Sequence, residues 1–289
     1  MSKRLIPEQL YHFNIQNFIT AALAEDIGDG DHTSNACIPS SAKGKAQLLV
    51  KENGILAGVD LALEIFRTVD PSLKVKILLK DGSKIKVGDI VLLVEGKSQS
   101  ILVAERLVLN CMQRMSGIAT KTNHLVQLCK GTKTKVIDTR KTTPTVRGLE
   151  KWAVVIGGGA NHRIGLYDMI LIKDNHIDYA GGIKQAIDAS KKYLKSKNKK
   201  LKIEVESRNL NEVKEILSVG GIHRIMLDNF SISDIKKALK LINGKFETEA
   251  SGGITEQNIG KYAACGVDFI SVGALTHHIK SLDLSLKAI

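Results

Sequence analysis

Residues 202–228 read KIEVESRNLNEVKEILSVGGIHRIMLD. A short β-rich strand, Lys202 to Glu206, is followed by a helical stretch and a second strand, Arg224 to Asp228. Two strands joined through a helix run parallel, because an antiparallel pair needs only a tight hairpin whereas a parallel pair needs a long crossover. The same unit recurs on both sides: strands are predicted at Lys135 to Asp138 and Met169 to Lys173 before it, and at Glu247 to Ser251 and Phe269 to Gly273 after it. Strands alternating with helices at spacings of roughly twenty to thirty-five residues argue for crossovers and a parallel sheet, closed or nearly closed. Six strands point to an incomplete α/β barrel of six to seven strands rather than the full eight-stranded form.

Each of these strands reads as apolar in its body and ends on charged or small polar residues: Asp138 with Arg140, Lys173, Glu206, Asp228, Ser251 and Gly273. In parallel barrels the strands' C-terminal ends converge on one rim, where active sites are built, while the opposite face only stabilises. That rim is the predicted site.

Working back towards the N terminus, the chain up to about Thr120 mixes helix (Glu8 to Ala24) with strands at Gln47 to Glu52, Lys74 to Leu79 and Ile90 to Glu95. Asp81-Gly82 and Gly88-Asp89 are turn signals between the strands. Apolar residues at helical spacing from Ile101 to Met115 predict a helix leading out of this region, with Ser116-Gly117 as hinge or cap. The expected organisation is an N-terminal α+β, sandwich-like domain over 1–116 and the barrel over 117–276, with the tail 277–289 packing back on the first domain.

With 289 residues, 43% of them hydrophobic and 25% charged, the chain has ample material for a packed core. Met1 to Pro7 is short and polar, and no stretch approaches the eighteen or so uninterrupted apolar residues of a membrane span. A cytoplasmic location is the expectation, with no membrane partner. Cys37, Cys111, Cys129 and Cys265 are widely separated and form no CxxC pair, so they read as reduced thiols. The net charge of +12 invites a nucleic-acid partner, but much of it lies in the run Lys191, Lys192, Lys195, Lys197, Lys199, Lys200 and Lys202, which reads as a solvated helix end and loop. Aromatic residues make up only 4% and no recognised nucleic-acid module is present, which argues against that class.

The densest basic segment is Asp138-Thr139-Arg140-Lys141-Thr142-Thr143-Pro144, followed by Asn161-His162-Arg163 and Lys173. Arginine forks grip carboxylates or phosphates in pairs of hydrogen bonds and lysine acts as a mobile point charge, so this group suits a small ligand with several anionic oxygens. Glu206 and Asp228 end successive strands, where carboxylates need positive neighbours or a metal; a hydrated Mg2+ carried in with phosphates would suit them. Ser251-Gly252-Gly253 and Ser271-Val272-Gly273 end the last two strands, where glycines let backbone N–H groups approach a phosphate. No GxxxxGK[ST] loop or complete GxGxxG turn occurs, and His12, His32, His223, His277 and His278 form no metal-ligand array.

These residues, with Glu25-Asp26-Ile27-Gly28-Asp29-Gly30-Asp31-His32-Thr33-Ser34, Ala104-Glu105-Arg106, Ser116-Gly117-Ile118-Ala119-Thr120, Gly157-Gly158-Gly159-Ala160-Asn161-His162-Arg163, Ile172-Lys173-Asp174-Asn175-His176, Leu227-Asp228-Asn229-Phe230 and Ala250-Ser251-Gly252-Gly253-Ile254, resemble the quinolinate phosphoribosyltransferases over nearly the whole chain. One departure is that Thr145-Val146-Arg147 stands where the family's usual pattern has a glycine, with Thr145 in its place.

The resemblance implies transfer of a phosphoribosyl group from 5-phosphoribosyl 1-pyrophosphate (PRPP) to quinolinate with loss of carbon dioxide, giving nicotinate mononucleotide and pyrophosphate on the way to NAD. It assigns Arg106, Thr139, Arg140, His162, Arg163 and Lys173 to quinolinate, and Lys141, Thr142, Glu206, Asp228, Ser251, Gly252, Gly253 and Gly273 to PRPP and its phosphates. Lys141, Lys173, Glu206 and Asp228 take the catalytic roles. Mg2+ comes with PRPP to Glu206 and Asp228, directly or through water, and no organic cofactor is implied. Arg106 is expected to enter the neighbouring active site of a homodimer, whose further assembly stays open. The competing enzyme reading is a related phosphoribosyltransferase acting on another ring, such as nicotinate with its single carboxylate.

Overall fold

The computed structural model describes Leu10 and residues 13–289. The chain forms two compact units: one takes in the sequence up to Asn123 together with Thr142–Gly158 and Ala274–Ile289, the other His124–Lys141 and Gly159–Gly273.

The first unit begins with α1 (Ile15–Ile27), whose N-terminus is capped by the Asn14 side chain accepting from the Asn17 N–H. The start of the predicted Glu8 to Ala24 helix, and His12, lie outside the described residues apart from Leu10. α2 (His32–Cys37) is capped by Asp31, which accepts the Ser34 N–H, so part of the acidic, glycine-rich stretch before it serves local structure. There follow β1 (Lys43–Val50), β2 (Gly54–Ile55), α3 (Val59–Val69), β3 (Lys74–Ile77), β4 (Lys84–Ile85), β5 (Ile90–Lys97) and α4 (Ser98–Leu128). α5 (Arg147–Ile156), α11 (Ala274–His277) and β12 (Leu284–Ala288) belong to the same unit. β12, β1, β5 and β3 form an antiparallel sheet in that order, and β12 sets Leu284 and Leu286 opposite Val50 and Leu48. All four of those side chains are buried.

α4 departs from the expectation that a helix would stop at Met115. It runs on through Ser116 and Gly117 as one helix to Leu128. The two residues are there for packing. The Ser116 hydroxyl accepts the Ala57 N–H at 2.9 Å and donates to the Ala57 carbonyl at 3.1 Å, and a Cβ at Gly117 would run into the Lys280 carbonyl. Glycine inside a helix costs about 1 kcal/mol relative to alanine, a cost accepted here for close backbone approach.

The second unit carries β6 (Lys135–Ile137), β7 (Met169–Ile172), β8 (Lys202–Ser207), β9 (Arg224–Asp228), β10 (Glu247–Ser251) and β11 (Phe269–Ser271). Its sheet has the order β6-β11-β10-β9-β8-β7, with every pairing parallel. β6 and β7 are the two edges, so the barrel is open, and the seventh position is reduced to a single parallel bridge between Ile137 and Ala160. The crossovers are α6 (Asp174–Ala180), α7 (Ile183–Ser196), α8 (Leu210–Val219), α9 (Ile232–Ile242) and α10 (Ile259–Ala263). Each of the longer ones buries an apolar stripe at helical spacing: Ile183, Ala186 and Ile187 on α7, Val213 and Ile216 on α8, Ile235, Ala238 and Ile242 on α9. Burying a side chain such as Ile235 fully stabilises by about 1.5–3 kcal/mol.

The strand bodies are not uniformly apolar, contrary to the sequence reading. Side chains alternate across a strand, so Glu204 shares a face of β8 with Glu206, Arg224 a face of β9 with Asp228, and Glu249 a face of β10 with Glu247 and Ser251. Glu204 and Glu249 are wholly buried. The interior of the open barrel thus holds a charged layer one step below the rim.

Candidate active site

The rim is built from the C-terminal ends of β6 to β11 and the segments that follow them. Asp138, just past β6, is fully buried and acts as an anchor: Oδ1 accepts the His162 N–H at 2.9 Å and Oδ2 accepts the Asn161 amide at 2.6 Å. Thr139 Oγ1 accepts the Lys141 N–H, a tight turn that sends Arg140 and Lys141 to the surface. Asp168 accepts the N–H groups of Ile164 and Gly165, closing the 161–168 loop, and Arg163 Nη1 donates to the Met169 carbonyl at 3.3 Å. Burial, and then the Arg140 guanidinium, hold Arg163 below the ordinary arginine range. Two like-charged guanidiniums therefore stand close enough to repel, an arrangement that an anion between them would relieve.

Lys173 caps the N-terminus of α6 and is half exposed, with Nζ 3.7 Å from Glu206 Oε2. Burial raises the Glu206 carboxyl; Lys173 lowers it, and Asp228 and Asp174 raise it further. Two oxygen-only side chains, Glu206 and Asp228, set near one another with a cation on one side suit a hard, partly hydrated ion such as Mg2+ or a pair of hydroxyl donors. Asp228 Oδ2 also accepts the Asn229 amide at 2.7 Å.

Gly252 and Gly253 follow β10 with φ of 84° and 61°, a left-handed pair that only glycine adopts cheaply, and a Cβ at Gly252 would strike the Asn229 side chain. The turn is held by Asn258, which donates to the Gly253 carbonyl and accepts the Thr255 N–H.

Thr142 lies in the first unit, where its hydroxyl accepts from Arg147 Nε at 2.9 Å. The buried Glu150 holds the same segment by accepting the Thr143 N–H and pairing with Arg114. Neither Arg114 nor Glu150 was singled out by sequence. Thr145, at the family's glycine position, has φ 67°, the left-handed region in which a β-branched residue is a genuine outlier. Arg106 lies on α4 and is exposed.

Two family models match the chain: the quinolinate phosphoribosyl transferase N-terminal domain over residues 31–116 and the C-terminal domain over 118–287. The chain belongs to the quinolinate phosphoribosyl transferase family. Among its relatives, a nicotinate-nucleotide pyrophosphorylase (carboxylating), chloroplastic, of Arabidopsis thaliana is 48% identical over 95% of this chain and 83% of its own length. A probable nicotinate-nucleotide pyrophosphorylase (carboxylating) of Bacillus subtilis is 39% identical over 95% and 93%. The solved nicotinate-nucleotide pyrophosphorylase of Francisella tularensis superposes with a TM-score of 0.87 at 40% identity, covering 98% of both chains.

In this member of the quinolinate phosphoribosyl transferase family, His162 does not stand with the rim cations. Only 8% exposed, it turns its ring inward, with Nε2 3.0 Å from Glu204 Oε2 and 3.4 Å from Glu249 Oε2. Arg224 completes the layer: Nη1 is 3.0 Å from Glu249 and 3.9 Å from Glu204, Nη2 3.3 Å from Glu247, and the guanidinium lies 3.8 Å over the Phe269 ring. Burial lowers the ring's proton affinity, but the two carboxylates outweigh it and push His162 up to about 9. Nδ1 nevertheless lies 2.7 Å from the Arg163 backbone nitrogen, a contact in which only an unprotonated ring nitrogen can accept the N–H. With Nδ1 as acceptor, the ring proton falls to Nε2, the nitrogen that faces the two carboxylates. Burial and then Glu249 raise the Glu204 carboxyl. Among the described residues, His162, Glu204 and Glu249 are the one group with metal-ligand composition, but Arg224 already supplies positive charge beside both carboxylates.

Proposed function

We propose that the chain catalyses phosphoribosyl transfer from PRPP to quinolinate with decarboxylation, a step of NAD biosynthesis. Membership of the family supports this reading, and one observation carries the choice of substrate: Arg140, just past β6, Arg163, just past the Ala160 bridge to β6, and Lys173, at the end of β7, gather on one rim of the sheet. A ring bearing two adjacent carboxylates neutralises the two guanidiniums; nicotinate, with one, leaves a guanidinium uncompensated.

In the mechanism, Arg140, Arg163 and Lys173 grip the carboxylates and present the ring nitrogen to C1 of PRPP, with Thr139 shaping the turn beneath Arg140. As the C1–oxygen bond breaks, charge builds on the departing pyrophosphate, and Lys141 and Lys173 are the cations available to meet it. Glu206 and Asp228 take the ribose hydroxyls and would hold Mg2+, which would supply positive charge to the leaving pyrophosphate. The backbone N–H groups at Ser251, Gly252, Gly253 and Gly273 receive the 5′-phosphate. The new N–C1 bond makes the ring nitrogen cationic, so the electron pair left by the departing carboxylate flows into the ring and carbon dioxide leaves. Positioning and electrostatics supply most of the rate.

The unit of function is a homodimer in which Arg106 of the partner subunit completes the cationic site. Its exposure supports this, as does Leu102, 42% exposed and one turn earlier on α4. A reducing, cytoplasmic setting is supported by four free cysteines. No described helix is long and apolar enough to cross a membrane.

Steady-state assays with PRPP and either quinolinate or nicotinate test the reading. Quinolinate is expected to give kcat/KM at least about a hundredfold higher, as losing one charged partner costs about 3 kcal/mol or more. A preference for nicotinate would overturn it.

A further inference from the structure

The layer formed by His162, Glu204, Glu249 and Arg224 has no role in the chemistry above, yet it is costly. Glu204 and Glu249 are wholly buried in a barrel interior of the kind usually filled by branched apolar side chains. Stability alone would be served as well by such an apolar layer. What the charged layer does, which an apolar one could not, is to fix the orientation of one imidazole.

The chain of contacts is continuous. Glu204 on β8 and Glu249 on β10 both face Nε2 of His162, at 3.0 and 3.4 Å. Arg224, on β9 between those two strands, holds Glu249 at 3.0 Å and keeps the two carboxylates compatible. Nε2 stands at ion-pair distance from both carboxylates, and the ring's other nitrogen, Nδ1, takes the Arg163 N–H at 2.7 Å. Asp138 pins the other side of the same segment through the His162 N–H and the Asn161 amide. The backbone at Arg163 is thereby fixed from two directions, and its guanidinium is one of the two that meet the substrate's carboxylates.

We propose that Glu204 and Glu249 are positioning residues for recognition of the diacid: by holding Nε2–H of His162 they make Nδ1 the acceptor of the Arg163 amide and so aim the Arg163 guanidinium. His162 is the relay through which they act. The inference rests on quinolinate being the substrate. The arrangement parallels the outer hydrogen bonds that orient metal-binding histidines, where losing the outer partner typically costs about ten- to a hundredfold.

The test is a KM-against-kcat comparison on Glu204→Ala, Glu249→Ala, His162→Phe and the conservative Glu204→Gln, whose amide oxygen can still accept Nε2–H. Wild-type enzyme must first release carbon dioxide from quinolinate in the presence of PRPP; failure there would sink the functional reading itself. Given that activity, the alanine and phenylalanine variants are expected to raise KM for quinolinate about tenfold or more while KM for PRPP stays within about twofold. Glu204→Gln is expected to restore most of the loss, and Glu204→Ala combined with His162→Phe to be no worse than the poorer single variant, since both break one relay. If an alanine variant does not fold, calorimetric titration of quinolinate into Glu204→Gln and His162→Phe decides: only the second is expected to lose affinity. An unchanged KM for quinolinate, an equal rise for both substrates, or additive losses in the double variant would each overturn the proposal.

Discussion

Arg140, Lys173, Glu206 and Asp228 could be placed on one rim from sequence because each ends a strand or follows one closely, and strand ends in a parallel barrel share a rim; Arg163 stood out only as part of a basic segment. Glu204, Arg224 and Glu249 were not singled out, although the two-residue alternation of Glu204 with Glu206 and of Glu249 with Ser251 carries the signal. A buried carboxylate is ordinarily so costly that a strand body is read as apolar unless partners are in view, and the partners here come from three other places in the chain. The same blindness applies to His162, which sequence groups with neighbouring cations and whose ring turns the other way. Thr145 is the opposite case: the sequence flags the residue, and φ 67° shows why a glycine is the usual choice. Left-handed strain in a β-branched residue, less the extra freedom that glycine brings to the unfolded chain, comes to about 1 kcal/mol. Thr145→Gly is accordingly expected to stabilise the protein by about that much in urea unfolding; an unchanged or lowered midpoint would contradict the strain.

At the scale of elements, the six parallel strands follow from their spacing, while α4 shows what periodicity misses. Ser116-Gly117 has the look of a helix end, but its reason lies in residues 57 and 280, far along the chain. Gly117→Ala would force Cβ into the Lys280 carbonyl and is expected to cost about 1–3 kcal/mol, read as a lowered thermal midpoint; a neutral result would mean that the 280 segment yields freely. α3 carries a pH dependence. Its N-terminus is capped by Asp81, whose Oδ1 accepts the Val59 N–H at 2.9 Å, and burial pushes that carboxyl up to about 6. The folded state therefore holds the Asp81 proton more tightly than the unfolded state, so stability from this group is fully present at low pH and falls as pH rises towards about 6. Asp81→Asn keeps an oxygen acceptor for the cap without the charge. It is expected to exceed wild type by about 3 kcal/mol at pH 7.5, with the gain shrinking towards pH 4; a gain independent of pH would contradict the assignment.

The scale of the whole molecule is where sequence reaches least, since nothing in one chain states its oligomeric partner. Arg106 is exposed on α4, and the proposed site needs it from a second copy. Mixing inactive Arg106→Ala with inactive Arg140→Ala is expected to recover up to about a quarter of wild-type activity, because a hybrid dimer holds one site free of both substitutions and random exchange makes half the dimers hybrid. No recovery after demonstrated subunit exchange would count against a shared site. The most direct measurement of all is the product stoichiometry of the purified enzyme with quinolinate, PRPP and Mg2+. Carbon dioxide and pyrophosphate released one for one, with neither formed when PRPP is left out, is the predicted result; pyrophosphate released without carbon dioxide would contradict it.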